Sequence, residues 1–465
     1  MKLHDTIAAI ATPKGSGGIA IIRLSGNDAV AIASKMVYPY GNKELSSLES
    51  HKLTLCRISS PESPSAILDE ALVAVMYAPK SYTGETVVEI NCHGGFLVAD
   101  KILTKLLSCG ARLAEAGEFT RRAFINGKTD LSGAEAVMDL MNSGSEAGLN
   151  NAAKILTGGL AKKIADFRSA VMELASHVSA AADFPDEVDP MESHLLIQHF
   201  DHLQRELTAL LGTFDTGRII RDGVRTAIVG KPNVGKSSVL NALLRWDRAI
   251  VTDVPGTTRD TIEELATVGG ITLRLIDTAG IRSAADEVEK IGIQRSMENI
   301  DLADLCLFVI DSSQEISRED CEIGKALQNK KVILIINKTD KTSALGEASP
   351  EAILGLCPAA TIYTATPKGS APIGIEDLEA VISRMFQVGD IKEDQVYLAN
   401  ERQRDSLLRA TSALENAKQA LVSGMPFDLL FIDLEDTLSA LGEVTGETVQ
   451  EEIVDKVFEN FCVGK

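Results

Sequence analysis

The stretch "GKPNVGKS", from Gly230 to Ser237, combines residue types and a spacing that suit phosphate binding. It fits the pattern G-x-x-x-x-G-K-[ST] and follows an apolar run typical of a β-strand. Gly230 and Gly235 would let backbone N–H groups curl around phosphate oxygens, since neither carries a Cβ. Lys236 would add a positive charge, and Ser237 would offer a hydroxyl to Mg²⁺. The pattern therefore predicts a P-loop.

Two motifs further along the chain indicate which nucleotide this loop binds. "DTAG" follows the apolar run "LRLI", so Asp277 can hold the metal through water and the Gly280 amide can meet the γ-phosphate. "NKTD" ends the apolar run "VILII", and Asp340 can accept hydrogen bonds from guanine N1–H and the exocyclic amine. Adenine lacks that amine and presents an acceptor at N1, so a carboxylate there selects against it. The predicted nucleotide is GTP.

The predicted GTP site extends over several segments of the chain. A further base-side element is expected in "YTATPKG", where the usual Ser-Ala pair is replaced by Thr364, Ala365 and Thr366. The full set of predicted GTP-binding residues is Asn233, Val234, Gly235, Lys236, Ser237, Ser238, Thr252, Asp253, Val254, Pro255, Gly256, Thr257, Thr258, Asp277, Thr278, Ala279, Gly280, Asn337, Lys338, Asp340, Thr364, Ala365 and Thr366.

Hydrolysis needs a group that positions the attacking water. Many small GTPases use a glutamine just after D-x-x-G, but Ile281 stands at that position. Asn233 and the loop "TDVPGTTRD" could instead bind a monovalent cation beside the phosphates, while Thr258 completes the Mg²⁺ shell. Glu289, in "DEVEKIG", could orient the water, or it could be an ordinary solvent-exposed glutamate on a helix.

The texture of the chain changes along its length and predicts a multidomain protein. Residues 1–122 mix β-like runs such as "GIAIIRLSG" with the helical stretch "FLVADKILTKLLSCG", which indicates a compact α/β or α+β domain. Helical periodicity dominates residues 123–218 and 386–465, whereas residues 219–385 alternate apolar strands with helices. The latter pattern is typical of a doubly wound parallel sheet. We therefore expect a P-loop α/β domain inserted into one helical domain, although two separate helical modules would also fit.

Apolar residues at helical spacing predict the individual helices of these segments. Ser132 and Glu135 fit a capping box at the start of a helix that carries Ala134, Val137, Met138 and Met141 on one face. Two further apolar stripes are formed by Leu196, Phe200, Leu203, Leu207 and Leu210, and by Leu407, Ala410, Leu414, Ala417 and Leu421.

Composition limits the partners and the compartment. The 465 residues carry a net charge of −20, whereas a protein that grips nucleic acid by itself normally has a basic excess. An RNA substrate would therefore require a local basic patch or a partner that carries the RNA. The seven cysteines are scattered without a C-x-x-C pair, which favours a reducing compartment. With no signal-like start and no apolar run of membrane-spanning length, we expect a cytoplasmic protein with no membrane partner.

The tail "FCVGK" allows three readings of Cys462. It formally matches the C-a-a-X lipidation signal, but Gly464 is not aliphatic and Lys465 is not a usual final residue. It could also be an isolated thiol, or part of an active site, where its reactivity would depend on the thiol pKa.

Over its whole length the chain resembles the bacterial tRNA-modification GTPases of the MnmE family, also called TrmE. The stretches that carry the resemblance are "DTIAAIATPKGSGGIAIIRLSG", "SYTGETVVEINCHGG", "AGEFTRRAFINGKTDLSGAEAV", "DFPDE", "GKPNVGKSS", "DVPGTTRD", "DTAGIR", "DEVEKIGI" and "FCVGK". The resemblance implies a folate-binding and dimerisation domain over residues 1–122 and a discontinuous helical domain over 123–218 and 386–465. It implies a Ras-like G domain over residues 219–385.

The resemblance also implies roles for particular residues. Asn233, Thr252, Val254 and Thr257 would ligate K⁺, and Ser237 and Thr258 would ligate Mg²⁺. Glu289 would position the water, and Arg259, Asp260 and Cys462 are the other candidate catalytic residues. A tetrahydrofolate derivative, in the 5,10-methylene or 5-formyl form, would be bound by Arg23, Glu89, Lys128 and Lys465.

Proteins of this family dimerise and work with the flavoprotein MnmG, also called GidA, in a heterotetramer. Together they build a carboxymethylaminomethyl-type group at C5 of the wobble uridine of certain tRNAs, with FAD on the partner. A partner that presents the tRNA would also explain the net charge of −20.

Two competing functions remain at this point. A regulatory or ribosome-assembly GTPase would act only as a switch, without folate chemistry, and typically adds a basic RNA-binding domain. A stand-alone folate aminomethyltransferase would leave the predicted G domain without a role.

Overall fold

The computed structural model describes residues 5–13, 15–41, 43–183, 193–246, 264–276, 300–346, 349–365, 371–386, 391–392, 394–459 and 461–465. The chain forms two compact units. The first contains Met1–Met138, Ile155–Phe200 and Arg409–Lys465, and the second contains Asp139–Lys154 and Asp201–Leu408. The three-domain division expected from the sequence is finer than these two units, and its boundaries stay a prediction.

The first unit contains a seven-stranded sheet in its N-terminal part, within the described residues. Its strands are β1 (Ile7–Ile10), β2 (Ile19–Ser25), β3 (Val37–Pro39), β4 (Thr54–Ser60), β5 (Ser63–Met76), β6 (Val87–His93) and β7 (Arg112–Leu113), in the order β3-β4-β5-β6-β2-β1-β7. Only the pairing of β1 with β7 is parallel among the described strand pairs of this sheet. Helices α1 (Ala29–Ala33) and α2 (Phe96–Ser108) accompany it, and Ile102 and Leu106 of α2 join the strand residues in one buried core. The arrangement is α+β, which is one of the two expected from the sequence pattern.

A series of helices follows along the chain. These helices are α3 (Glu118–Ile125), α4 (Leu131–Asn142), α5 (Glu146–Leu156), α6 (Gly159–Asp183), α7 (Ser193–Leu211) and α8 (Phe214–Asp222). The predicted stripe on α7, from Leu196 to Leu210, is buried, because its five apolar residues share one face of the helix.

The predicted capping box at Ser132 is wrong. Ser132 lies inside α4 and is buried, and the Asp130 carboxylate accepts a hydrogen bond from the Gly133 N–H at 2.9 Å. A carboxylate in this position can accept a hydrogen bond from an N–H of the first turn, and its negative charge interacts favourably with the positive end of the helix dipole. Ala134 is buried as expected, whereas Met141 at the far end of the stripe is exposed.

The second unit contains a six-stranded sheet within its described residues, in the order β13-β12-β11-β8-β10-β9. Its strands are β8 (Val224–Val229), β9 (Glu264–Val268), β10 (Ile271–Leu275), β11 (Leu305–Asp311), β12 (Val332–Asn337) and β13 (Ala360–Tyr363). The strands from β13 to β10 in that order pair in parallel, and only β9 at the edge pairs antiparallel with its neighbour. The predicted parallel sheet is confirmed, with one antiparallel edge strand added.

Helices cover both faces of this sheet. They are α9 (Lys236–Trp246), α10 (Arg318–Ala326), α11 (Pro350–Leu354) and α12 (Ile375–Met385). Along β11, Leu305, Leu307 and Val309 pack in one buried cluster with α9 and α12, while the alternate residues Cys306, Phe308 and Ile310 pack in a second cluster with α10 and α11. A strand that is buried on both faces reads as a continuous apolar run, which explains the sequence "LCLFVI".

The chain ends with helices α13 (Glu401–Val422), α14 (Phe427–Thr445) and α15 (Glu451–Glu459). On α13 the predicted apolar stripe is buried from Leu407 to Ala417 and only partly buried at Leu421. Val454 and Phe458 of α15 pack with Leu131 and Ala134 of α4 in a small core of the first unit. In the part of the chain that the structure describes, each helix is too short or too polar to cross a bilayer.

Candidate functional site

The predicted phosphate loop connects β8 to α9. Gly230 has φ 145° and Gly235 has φ 105°, a region that side chains with a Cβ rarely adopt. A Cβ at Gly230 would collide with the Val309 carbonyl oxygen, and a Cβ at Gly235 would collide with the amide nitrogen of Asn337. Both glycines of the motif are therefore required by backbone conformation and by close packing.

Lys236 closes this loop from the inside. Its Nζ donates hydrogen bonds to the carbonyl oxygens of Gly230 at 2.6 Å and Lys231 at 2.7 Å. Burial lowers the pKa of Lys236 from its ordinary value, so the environment disfavours the charged form. The two carbonyl oxygens carry only partial negative charge, whereas a phosphate would bring a full negative charge next to the Lys236 ammonium. The loop is therefore suited to an anion.

Asn337 joins the loop to the predicted base-binding segment. This fully buried residue ends β12, and its Nδ2 donates to the Val234 carbonyl at 2.9 Å. Its Oδ1 accepts from the Thr364 hydroxyl at 3.0 Å, and the Thr364 carbonyl accepts from the Thr339 N–H at 3.2 Å. The phosphate loop, the "NKTD" segment and the Thr364 segment are thus held together by one buried amide.

Lys338 makes a second connection between the same segments. Its Nζ donates to the Asn233 carbonyl at 2.6 Å and pairs with the Asp311 carboxylate at 2.6 Å. Burial would raise the pKa of Asp311, but hydrogen bonds from Lys338 and Ser313 outweigh it and hold that pKa below its ordinary value. Sequence reasoning missed Asp311, although an acidic residue at the carboxyl end of a buried parallel strand lies at the edge where ligands bind.

Ser237 and Ser238 are the second and third residues of α9, and Asp340 is exposed beyond the end of β12. Thr364 and Ala365 are fully buried. The remaining predicted residues lie outside the described part of the chain: Thr252, Asp253, Val254, Pro255, Gly256, Thr257, Thr258, Arg259, Asp260, Asp277, Thr278, Ala279, Gly280, Glu289 and Thr366.

A second group of predicted site residues lies in the first unit. Arg23 on β2 and Glu89 on β6 are direct cross-strand partners, and Arg23 Nε donates to Glu89 Oε1 at 2.7 Å. The Arg23 guanidinium also lies 5.4 Å from the ring centre of Tyr82 and 5.7 Å from that of Phe119. Sequence reasoning missed both rings, although each falls within a quoted stretch, "SYTGE" or "AGEFT".

The C-terminal tail lies against this arginine. Arg23 Nη1 donates to the Gly464 carbonyl at 3.4 Å, and the Lys465 carbonyl accepts from the Phe119 N–H at 3.1 Å. Val463 forms an antiparallel bridge with Ala116, and Cys462 is exposed. The structure thus brings Arg23, Glu89 and the tail together, although Arg23 and Gly464 are 441 positions apart in the sequence.

Lys128 is not joined to this group by a described contact. Its Nζ donates to the Pro79 carbonyl at 3.2 Å, and its side chain lies beside Gly84. These two residues flank Tyr82 in the chain, so Lys128 borders the loop that carries one of the two rings near Arg23.

A buried ion network holds the elements that carry these rings. Arg122 is only 1 % exposed and contacts Asp5 at 2.7 Å, Glu118 at 3.0 Å and Glu85 at 3.2 Å. Arg112 pairs with Asp5 at 2.6 Å and with Glu118 at 2.5 Å. Since Phe119 lies on α3 between Glu118 and Arg122, and Tyr82 lies in the loop before Glu85, the network fixes both rings relative to the sheet.

Comparison with known proteins gives matches over almost the whole chain. Residues 6–128 match the family model described as "GTP-binding protein TrmE N-terminus", and residues 131–462 match the "MnmE helical domain". A protein named tRNA modification GTPase MnmE from Alkaliphilus oremlandii is 44% identical over 467 residues, which cover 100% of both chains. A protein of the same name from Thermoanaerobacter sp. is 45% identical over 468 residues, again covering 100% of both. Among solved structures, the G domain of the T. maritima FeoB iron transporter is 28% identical and covers 35% of this chain and 97% of that one, with a TM-score of 0.25.

Proposed function

The chain belongs to the MnmE family of tRNA modification GTPases, and on this premise we propose that it hydrolyses GTP in the modification of tRNA. The finer proposal is that it works with an FAD-dependent flavoprotein partner, MnmG. The two would install a carboxymethylaminomethyl-type group at C5 of the wobble uridine of certain tRNAs.

The observation that carries the GTPase proposal is the position of Asn337. Its amide holds the phosphate loop at Val234 and the base-side segment at Thr364. Asp340, three residues further on, is exposed and can accept the two guanine N–H groups. The same unit therefore offers a phosphate cradle and a guanine-selective carboxylate.

Metal ions would complete this site, and the donor set suits them. Ser237 would hold Mg²⁺ together with Thr258, and Asn233 would hold K⁺ with Thr252, Val254 and Thr257. Hydroxyl, amide and carbonyl oxygens are ligands that hard cations prefer. When bound, the cations would neutralise charge that develops on the phosphates during hydrolysis. In the chain itself, Glu289 would orient the attacking water in place of the missing glutamine, and Arg259 and Asp260 are further catalytic candidates.

Arg23, Glu89, Lys128 and Lys465 would bind the tetrahydrofolate derivative. The fit is chemical: a guanidinium and ammonium groups suit the glutamate tail or ring carbonyl, and a carboxylate suits the aminopyrimidine edge. Tyr82 and Phe119, which flank Arg23, offer flat apolar faces. Cys462 is exposed and lies in the same tail as Lys465, so it is a candidate for the one-carbon chemistry. A reduced folate would supply the one-carbon unit when bound.

We propose a homodimer that meets through the N-terminal sheet. Leu55 on β4 and Leu72 on β5 are cross-strand partners that are 49% and 42% exposed, which supports an apolar contact surface there. The net charge of −20 argues that the partner presents most of the tRNA.

The GTPase proposal is tested with the purified full-length chain. We expect GTP to be hydrolysed in preference to ATP, faster in K⁺ than in Na⁺, and with a specific rate that rises with protein concentration. A rate that changes with neither the cation nor the protein concentration would contradict a role of K⁺ and of the dimer in hydrolysis, but not the GTPase activity itself.

The role in tRNA is tested by mass spectrometry of tRNA nucleosides from cells that lack the chain. Loss of the modified wobble uridine is expected, and unaltered wobble uridines would contradict the proposal. Equilibrium binding of 5-formyl-tetrahydrofolate, with and without Lys465, separates it from a GTPase switch, which would bind no folate.

A further inference from the structure

Asp311 occupies a central position among the residues around the proposed nucleotide site. It is the last residue of β11, and its register partner on β12 is Asn337, the residue that joins the phosphate loop to the base-side segment. Its side chain is 2% exposed, and its Oδ2 lies 2.6 Å from Lys338 Nζ. The other oxygen, Oδ1, accepts hydrogen bonds from the Ser313 N–H at 2.9 Å and the Ser313 hydroxyl at 2.7 Å. The carboxylate is therefore fixed in orientation.

The ammonium that Asp311 holds has a second acceptor in the phosphate loop. Lys338 Nζ donates to the Asn233 carbonyl at 2.6 Å, and Asn233 has φ 64°, an unfavourable region for a residue with a Cβ. Lys338 itself has φ 60°. Two strained residues on separate segments are thus tied to each other by one ammonium, which donates to a neutral carbonyl and to a carboxylate.

We infer that Asp311 is a positioning residue that holds the base-recognition segment against the phosphate loop through Lys338. The inference rests on the proposed GTPase function. A bound nucleotide would contact the phosphate loop at one end and Asp340 at the other, so it can leave only when these segments loosen. Without the carboxylate, Lys338 keeps a single neutral acceptor and the connection weakens.

The test is the dissociation rate of N-methylanthraniloyl-GDP from the full-length chain, measured by fluorescence after addition of excess GDP. Asp311→Asn keeps the volume and removes the charge, and we expect dissociation to be about tenfold faster, the lower end of what loss of a charge-assisted hydrogen bond produces. An unchanged rate would overturn the inference.

Asp304→Asn is the matched control. Asp304 lies just before the other end of β11 and pairs with Arg225 at 3.2 Å and Arg218 at 3.4 Å. If loss of any ion pair at this strand speeds dissociation, Asp304→Asn will do so equally, and the specific role of Asp311 is refuted. We expect Asp304→Asn to lower thermal stability and leave the dissociation rate as in the unaltered chain.

A double-mutant cycle tests whether Asp311 acts through Lys338. In a Lys338→Met background, Asp311→Asn should add no further change in the dissociation rate, and an additive effect would overturn the inference. Should Asp311→Asn fail to fold, Ser313→Ala, which loosens the carboxylate, carries the test with an expected acceleration of about twofold. No binding by the unaltered chain would refute the proposed function and this inference together, whereas normal binding with an unchanged variant refutes the inference alone.

Discussion

Gly235 lies so close to the Asn337 amide that its lack of a side chain is a condition for the buried hydrogen bonds of the site. The Asn337 amide needs that space to reach the Val234 carbonyl at 2.9 Å. A single glycine therefore serves the conformation of the phosphate loop and its connection to the base-side segment.

Replacing Gly235 with alanine should weaken guanine nucleotide binding by about tenfold or more, because the positive φ becomes strained and Asn337 is displaced. Titration with N-methylanthraniloyl-GDP measures the effect. Gly346→Ala is the control, since a Cβ at that position meets nothing within 4 Å. Equal affinity of the two variants would contradict the argument.

In the proposed folate site, Arg23 connects two segments, because it contacts both Glu89 and the Gly464 carbonyl. Arg23→Gln removes the charge and the fork of donors, so we expect 5-formyl-tetrahydrofolate to bind about tenfold more weakly. Isothermal titration calorimetry measures this, with Lys52→Gln as a control on the same unit, because the ion pair described for Lys52 is an exposed one with Glu49. Unaltered affinity of Arg23→Gln would show that the folate does not contact this residue.

At the scale of elements, helix α3 contacts several distant segments of the first unit. Arg122 enters the buried ion network, Arg121 pairs with Asp455 of α15, and Phe119 binds the tail through its N–H. The charged sequence "EFTRRAF" is thus partly buried, and its two arginines are paired with acids from distant segments.

Arg122→Met should destabilise the first unit by about 3–5 kcal/mol, because it removes the buried cation that contacts all three carboxylates of Asp5, Glu85 and Glu118. Urea unfolding followed by circular dichroism measures the change. Arg318→Met removes an exposed pair with Glu322 and should cost less than about 1 kcal/mol. Similar values for both variants would mean that the buried network contributes no more than a surface pair.

The same network predicts how stability depends on pH. Hydrogen bonds from Arg112 hold the pKa of Asp5 below 3.8, and for Glu118 they outweigh burial and hold the pKa below 4.5. Groups with depressed pKa values stabilise the fold above their ordinary values, and this contribution is lost as the pH falls through the depressed values.

We therefore expect the urea midpoint of the first unit to fall steeply as the pH is lowered below about 4. The fall should be smaller in Arg112→Met, which has lost the hydrogen bonds that contribute most to both lowered pKa values. A midpoint with the same pH dependence in both proteins would contradict this role of the network.

At the scale of the whole molecule, the first unit joins the N-terminal sheet to the last residues of the chain, since Gly464 and Lys465 contact Arg23 and Phe119. Truncation at the C-terminus therefore alters a site whose other members lie in the first 130 residues. The phosphate loop and the base-side segments of the proposed nucleotide site all lie in the second unit, as far as the structure describes them.

The proposed homodimer gives a prediction at this scale. Leu55→Asp puts a charge on the exposed apolar pair with Leu72, so the dimer dissociation constant should rise at least about tenfold. Sedimentation equilibrium measures the constant, and Leu302→Asp, another exposed leucine on the second unit, is the control. Dimers of unchanged strength in Leu55→Asp would exclude this face as the contact.

The sequence by itself determined the features that depend on local chemistry. The glycines and Lys236 of the phosphate loop, the buried strands β10 to β12 and the amphipathic helices α7 and α13 were all predicted, because backbone conformation and apolar periodicity are written in neighbouring residues. The predicted cap of α4 was wrong because the local sequence offers two capping residues, Asp130 and Ser132. The folded structure shows that Asp130 accepts the hydrogen bond from the first turn.

Only the tertiary structure decided which distant residues meet. Asp311 and Lys338 are 27 positions apart, and Arg23 and Gly464 are 441 apart. Such pairings depend on strand order and on the docking of the tail, which no local pattern encodes. A carboxylate or an arginine reads in sequence as a solvated charge, and it becomes a positioning group only when the fold removes water and supplies one particular partner.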